Sequence, residues 1–500
     1  MTKYRRLAIL AVVSLSFVAN SNGQTSPEVI TINATAPAHP FPHFWEQMFG
    51  SGRAILSLRD SYRDDLRTVK KITDFRYVRF HAIFHDEVGV YDEDAQGNPV
   101  YNFPYVDQIY DGLLQNGVRP FIELSFMPNK LAAKDVHQAF WYKPNNSPPK
   151  DWSRWEALIQ NFAQHLVDRY GIDEVAQWYF EVWNEPNIDF WAGEPKQETY
   201  FELYDHAAAA IKRVNSRLRI GGPATAQAAW ATPFIEHCAQ NHIPVDFVST
   251  HVYGNDTAQN VFHTDEKIPR EDMVCRAAKK VHDEIKSSPF PELPLIWSEY
   301  NASYSTEDKV TDSVYMAPWM ANTIRECDGL TDKMSYWTFS DVFEEQGVVK
   351  QPFYGGYGLI AVGGIPKPSF AAFEVLHKLG TQRVDLNSQF ALLTKNADGS
   401  LVLAVWNLVP FEQTGESKVV TIRLIHSGKV HRASIRRVDA DHGNPMPAYQ
   451  RMGSPRYPTQ DQLKQLRSAA ALPSPEVQSL KNGELTLKLP SEGLAVIELK

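Results

Sequence analysis

The chain has 500 residues, 43% of them hydrophobic and 22% charged, with a formal net charge of -9. That length suits a large barrel with a small companion domain, and a mean hydropathy of -0.36 argues against a membrane-embedded body. The acidic balance leaves no basic footprint for gripping a phosphate backbone, so nucleic acid is not an expected partner.

In chain order, residues 1–23 read as a secretory signal peptide: Lys3, Arg5 and Arg6 precede an uncharged run over 7–19, followed by small and polar residues through Ser21 and Gly23. The run falls short of the roughly 20 residues that span a bilayer, so a secreted or periplasmic protein with no membrane partner is expected. Residues 24–43 form an N-terminal segment whose apolar run 29–32 is placed to donate a strand to a later sandwich. Residues 44–380 alternate short apolar runs with amphipathic stretches, the pattern of βα units in a parallel sheet. The expected strands cover 44–49, 77–80, 119–125, 177–181, 219–222, 247–250, 295–298 and 333–338, and the clearest helices 152–170, 199–214, 271–287 and 316–327. Eight such units close a (β/α)8 TIM barrel. Residues 381–500 change texture to short β-rich runs at 401–406, 419–425, 430–438, 485–489 and 495–499, with one helix at 460–469, and predict a C-terminal β-sandwich. The loop at 144–149 reads as ordered or lid-like. Cys238, Cys275 and Cys327 are too few and too irregularly spaced to suggest a disulfide framework or a metal knuckle, and read as small core residues.

Catalytic groups of such a barrel project from the C-terminal ends of its strands. There the sequence places Arg79 and His81, the run Trp183-Asn184-Glu185-Pro186, then His251 and Tyr253, then Glu299, and finally Trp337. Cleavage of a glycosidic bond needs one carboxylic acid to protonate the leaving oxygen and one carboxylate to attack the anomeric carbon or activate water. Glu185, beside apolar Trp183, suits the acid; Glu299, flanked by donors such as Arg79 and Tyr253, suits the carboxylate. Singly, each glutamate also reads as a solvated loop acid, Arg79 as a structural ion pair with Glu123, the histidines as satisfied core residues and Trp337 as core packing. Their joint placement on one rim favours catalysis.

The run 180–187, Phe-Glu-Val-Trp-Asn-Glu-Pro-Asn, resembles the acid/base signature of glycoside hydrolase family 39, and the resemblance extends to Gly50-Ser51-Gly52-Arg53-Ala54, Arg79-Phe80-His81, His251-Val252-Tyr253, Glu299-Tyr300-Asn301 and Gly453-Ser454-Pro455. It implies a retaining double displacement, with Glu185 as acid/base, Glu299 as nucleophile, Asn184 on the sugar 2-hydroxyl, and His81, His251 and Tyr253 lining the sugar subsite. The implied partner is an oligosaccharide or glycoside, most simply a β-xyloside, with an iduronide, arabinoside, glucoside or galactoside as alternatives. No cofactor or metal is expected: a metal-dependent barrel hydrolase would end its first strand in His-x-His, which is absent here. The competing non-enzymatic reading is a carbohydrate-binding barrel that has lost its acids, and self-association stays open.

Overall fold

The computed structural model describes residues 28–411, 413–426 and 430–500; the expected signal peptide lies outside them. Eight parallel strands close a barrel in sequence order: β1 (Met48–Gly50), β2 (Tyr77–Phe80), β3 (Arg119–Leu124), β4 (Tyr179–Val182), β5 (Arg219–Thr225), β6 (Phe247–His251), β7 (Leu295–Tyr300) and β8 (Lys333–Tyr336). A long helix follows each strand, from Asp60–Lys70 after β1 to Pro368–Leu376 after β8. The helices form because apolar residues recur every three or four positions. In Trp152–Tyr170 these are Trp155, Leu158, Ile159, Phe162, Ala163 and Leu166, all buried. The Asp151 side chain caps that helix by accepting from the Ser153 and Arg154 amides.

The strands obey the two-residue period of β-structure. Phe49, Val78, Ile122, Phe180, Val248 and Trp297 face outward into the main core beneath the helices, whereas Met48, Phe121, Tyr179, Phe247 and Ile296 face inward and form an apolar floor. One pleat higher on the same strands stand Gly50, Glu123, Glu181, Ser249 and Ser298, with Arg79 above Tyr77. Gly221 has no side chain for a steric reason, since a Cβ there would lie 2.7 Å from the Phe247 ring.

Apart from two short pairs, Tyr91–Glu93 with Pro99–Tyr101 and Ile360–Ala361 with Ile365–Pro366, the remaining strands form two sheets packed face to face. A seven-stranded antiparallel sheet runs Ala38–Pro40, Gln382–Val384, Ala391–Lys395, Leu401–Asn407, Gly493–Leu499, Arg432–Val438 and Glu476–Ser479; a three-stranded sheet runs Glu28–Asn33, Lys418–Ile425 and Glu484–Leu489. The N-terminal run is thus a strand of the sandwich, pairing in parallel with Lys418–Ile425. Strand Leu401–Asn407 is buried on both faces: Leu401, Leu403 and Val405 pack between the sheets, while Val402, Ala404 and Trp406 join the core shared with the barrel. No helix among the described residues is long and apolar enough to cross a membrane.

Two expectations need correction. Cys275 and Cys327 form a disulfide, although Cys238 is a free, buried thiol. Their separation of 52 residues carries no pairing signal, because the bond arises from side-by-side packing of helices Arg270–Lys286 and Met316–Cys327. The first strand begins at Met48 instead of residue 44: Phe44 and Trp45 pack edge-on against one another in the turn before it, at 5.4 Å between ring centroids. Smaller shifts occur elsewhere, and β7 continues through Glu299 to Tyr300.

Candidate active site

Above the barrel floor the interior becomes ionised. Arg79 is fully buried and its guanidinium contacts three carboxylates: Glu181 at 2.6 Å, Glu299 at 2.5 Å and Glu123 at 2.8 Å. Such a charge survives burial only because every side of it is paired, and those acids hold it far into its cationic range. Arg79 Nη2 also donates to Asn184 Oδ1 at 2.9 Å. An arginine can only donate, so this bond fixes the amide orientation and leaves the Asn184 N–H groups for another acceptor.

Glu299 is held at both oxygens. Oε1 takes the Arg79 bond, and Oε2 accepts from the Tyr253 hydroxyl at 2.6 Å. Burial and the neighbouring Glu299 charge push the Tyr253 phenol well above its usual range, so it remains a donor. Glu185 stands differently. It follows the end of β4 in a left-handed backbone conformation, φ 45°, with its amide bonded to Ala224 O at 2.7 Å. The nearest side-chain partner of its carboxyl is His251 Nδ1, at 3.1 Å. Burial first, and the Glu299 and Asp256 charges second, raise the Glu185 carboxyl well above the ordinary range. His251 is driven the opposite way, toward the neutral ring, by burial and by the Arg79 and His81 charges, and its Nε2 meets Ser298 Oγ at 3.0 Å. An oxygen of Glu185, an oxygen of Glu299 and a ring nitrogen of His251 all lie within 4.8 Å of one another.

These groups open into a cavity of about 400 Å³ lined by His81, Asn184, Glu185, His251, Tyr253, Glu299 and Trp337. Every sequence-derived candidate except Arg79 therefore lines it, and Arg79 lies directly beneath as an anchor. His81 Nδ1 binds Glu123 Oε2 at 2.6 Å; burial opposes its protonation, but Glu123, Glu299 and Glu345 together raise its pKa. Trp337 lies over Gly50, where a Cβ would come within 1.9 Å of the indole, which explains the glycine of the 50–54 run. The Arg79 guanidinium carbon is 5.6 Å from the centroid of the same ring.

Trp183 does not wall the acid as its sequence position suggested. Its indole N–H donates to Phe190 O and its ring packs against Phe126 and Trp191, so Ile188, Phe190 and Ala226 supply the apolar wall instead. Sequence reading also missed Glu345, Asp256, Tyr357 and Phe140, all lining the cavity. Glu345 is buried, its carboxyl pushed up to about 8 by that burial, and it lies 3.6 Å from His81 Nε2. Its loop is secured by Arg53, which bonds Glu344 and Glu87. Glu181 did leave a signal, an acid one pleat above an inward aromatic in an otherwise apolar strand; the long connection after β8 that carries Glu345 and Tyr357 has no periodicity to read.

The sequence profile of the glycosyl hydrolases family 39 matches residues 28–485. A β-xylosidase of Geobacillus stearothermophilus is 39% identical over 475 residues, covering 92% of this chain and 93% of that protein. The crystal structure of a monomeric β-xylosidase from Caulobacter crescentus CB15 superposes with a TM-score of 0.86 at 35% identity, covering 95% of this chain and 99% of the other. A mouse α-L-iduronidase is matched more distantly, at 22% identity over 53% of this chain and 42% of that protein. Paired glutamates on a barrel mouth and a family match spanning both domains lead to one conclusion: this chain is a glycoside hydrolase and belongs to family 39.

Proposed function

We propose that the protein is an exported β-xylosidase-like enzyme that hydrolyses its glycoside by retaining double displacement. Glu299 attacks the anomeric carbon while Glu185 donates a proton to the leaving oxygen; Glu185, now a carboxylate, then activates the water that releases the sugar from Glu299. The observation that carries this reading is the close approach of the two carboxyls, with one oxygen of Glu185 within 4.8 Å of one oxygen of Glu299. Retaining glycosidases hold their carboxyls about 5–5.5 Å apart, whereas inverting ones need about 6.5–9.5 Å to admit a water. The roles follow from the surroundings: Glu299 is bonded by a cation and a phenol that favour its anion, and Glu185 has burial and two acids that favour its protonated form. Asn184 offers its N–H groups to the 2-hydroxyl, and His81, His251, Tyr253 and Trp337 surround the ring.

A neutral pentoside suits the cavity better than a uronide. Its described lining holds four acids, Glu185, Asp256, Glu299 and Glu345, but no lysine or arginine, so a sugar carboxylate would find no permanent cation among them. Export is supported by the N-terminal basic and apolar run together with the Cys275–Cys327 disulfide, a bond that persists in oxidising compartments. The reading is tested with a panel of nitrophenyl glycosides, following the first product by proton NMR. Fastest release from the β-xyloside with the β-anomer appearing first is expected; an α-anomer first rejects retention, and preference for an iduronide rejects the substrate class.

A further inference from the structure

A second group of convergent ligands lies at the opposite end of the barrel. Glu46, in the turn before β1, is fully buried, yet its ionic partners among the described residues are only two histidines, with no lysine or arginine. His43 Nδ1 approaches its Oε1 at 2.5 Å and His377 Nδ1 its Oε2 at 2.8 Å. One donor atom from each of the three residues lies within 4.8 Å of the other two. The buried Nε2 of His43 has no hydrogen-bond partner, and Nδ1 shares its proton with the Glu46 carboxylate, so Nδ1 serves as a ligand once a binding ion displaces that proton.

We propose that His43, Glu46 and His377 bind a divalent transition-metal ion of the zinc type. Two imidazoles and one carboxylate form a donor set that such ions accept, and a tetrahedral ion with ligands at about 2.0–2.2 Å places them roughly 3.3–3.5 Å apart. The present nitrogen–oxygen separations therefore open by about half an ångström to one ångström, within the reach of side-chain rotation. The His377 side chain is 36% exposed, which leaves the fourth coordination position facing solvent. Without an acceptor behind His43 to strengthen its ligation, affinity about 10–100-fold below that of a site with such a partner is expected.

The location gives the ion a structural role. Residues 41–47 lead the chain from the sandwich strand Ala38–Pro40 into β1, and His377 caps the last barrel helix just before the chain returns to the sandwich strand Gln382–Val384. These two connections already touch through Phe41 N and Thr381 O at 2.8 Å. An ion on His43, Glu46 and His377 staples them together far from the catalytic mouth. The Glu185, His251 and Glu299 atoms also cluster within 4.8 Å, and an ion there would block turnover, so the two sites separate by their effects.

The test uses the full chain, stripped with EDTA and titrated with Zn2+ alone, following bound zinc, thermal unfolding and nitrophenyl xyloside turnover. One equivalent is expected to bind and to raise Tm by about 1–2 °C at tenfold excess over Kd, with turnover unchanged. His377→Ala, at a half-exposed position, should weaken binding at least 10-fold and abolish the Tm shift, and His377→Gln should do the same; Glu299→Gln should leave both intact. No saturable binding, equal binding by the His377 variants, or loss of binding only in Glu299→Gln overturns the proposal.

Discussion

The floor and the mouth of the barrel are built on the same strands two residues apart, yet they follow opposite rules. At the floor, Phe121, Tyr179, Phe247 and Ile296 meet as apolar packing, where any side chain of similar shape serves. One pleat up, Glu123, Glu181, Arg79 and Ser298 form a network in which each group has its place because another is charged or hydrogen-bonded to it. The floor supplies stability and tolerates exchange; the mouth spends stability to keep one carboxylate bonded by Arg79 and Tyr253 while burial raises the pKa of its neighbour Glu185.

This contrast breaks first at Glu299. Glu299→Gly is expected to lower turnover of an aryl xyloside by about 10⁴-fold or more, with azide restoring an α-xylosyl product; product of retained configuration without Glu299 would remove it from the nucleophile role. Glu185→Ala is expected to cost about 10²–10⁴-fold on substrates with poor leaving groups and far less in the glycosylation of activated ones. The sign of the pH effect follows from its raised pKa. The acid works while protonated, so activity falls as pH rises through a value well above the usual glutamate range, and the alkaline limb of kcat/KM should disappear in Glu185→Ala. Tyr253→Phe removes one bond to an anion and should cost roughly 10–100-fold in kcat/KM; an unchanged rate would mean that Arg79 alone sets the state of Glu299. At the floor, Phe121→Leu should lower stability by about 1–2 kcal/mol by denaturant titration, with kcat/KM within about twofold of the parent. A large loss of activity there would show that floor and mouth are not separable.

The same contrast explains what the sequence disclosed. Eight units were legible because outward residues such as Ile122 and Val248 alternate with inward ones, and because helices such as Trp152–Tyr170 repeat their apolar face every three to four residues. Arg79, Glu185 and Glu299 stood out as polar residues where apolar strands end, and the fold brings them to one place. Glu345 and Tyr357 carried no such mark, since their positions depend on how an aperiodic segment is pinned, by Arg53 at Glu344 and by the Tyr304 carbonyl at the Tyr357 hydroxyl. The orientation of Trp183 was equally hidden: φ of 71° turns its side chain into the core, a backbone choice that no neighbouring residue announces. The Cys275–Cys327 and Glu46–His377 pairings join positions 52 and 331 residues apart; two packed helices bring the first together, and the turn before β1 meets the end of the last barrel helix in the second.

The most direct measurement is to trap the covalent intermediate with a 2-deoxy-2-fluoro-β-xyloside bearing a good leaving group and to locate the label by peptide mass spectrometry. A single fluoroxylosyl group on Glu299 is predicted. A label on Glu185 or Glu345, or complete inactivation with no labelled carboxylate, would contradict the account.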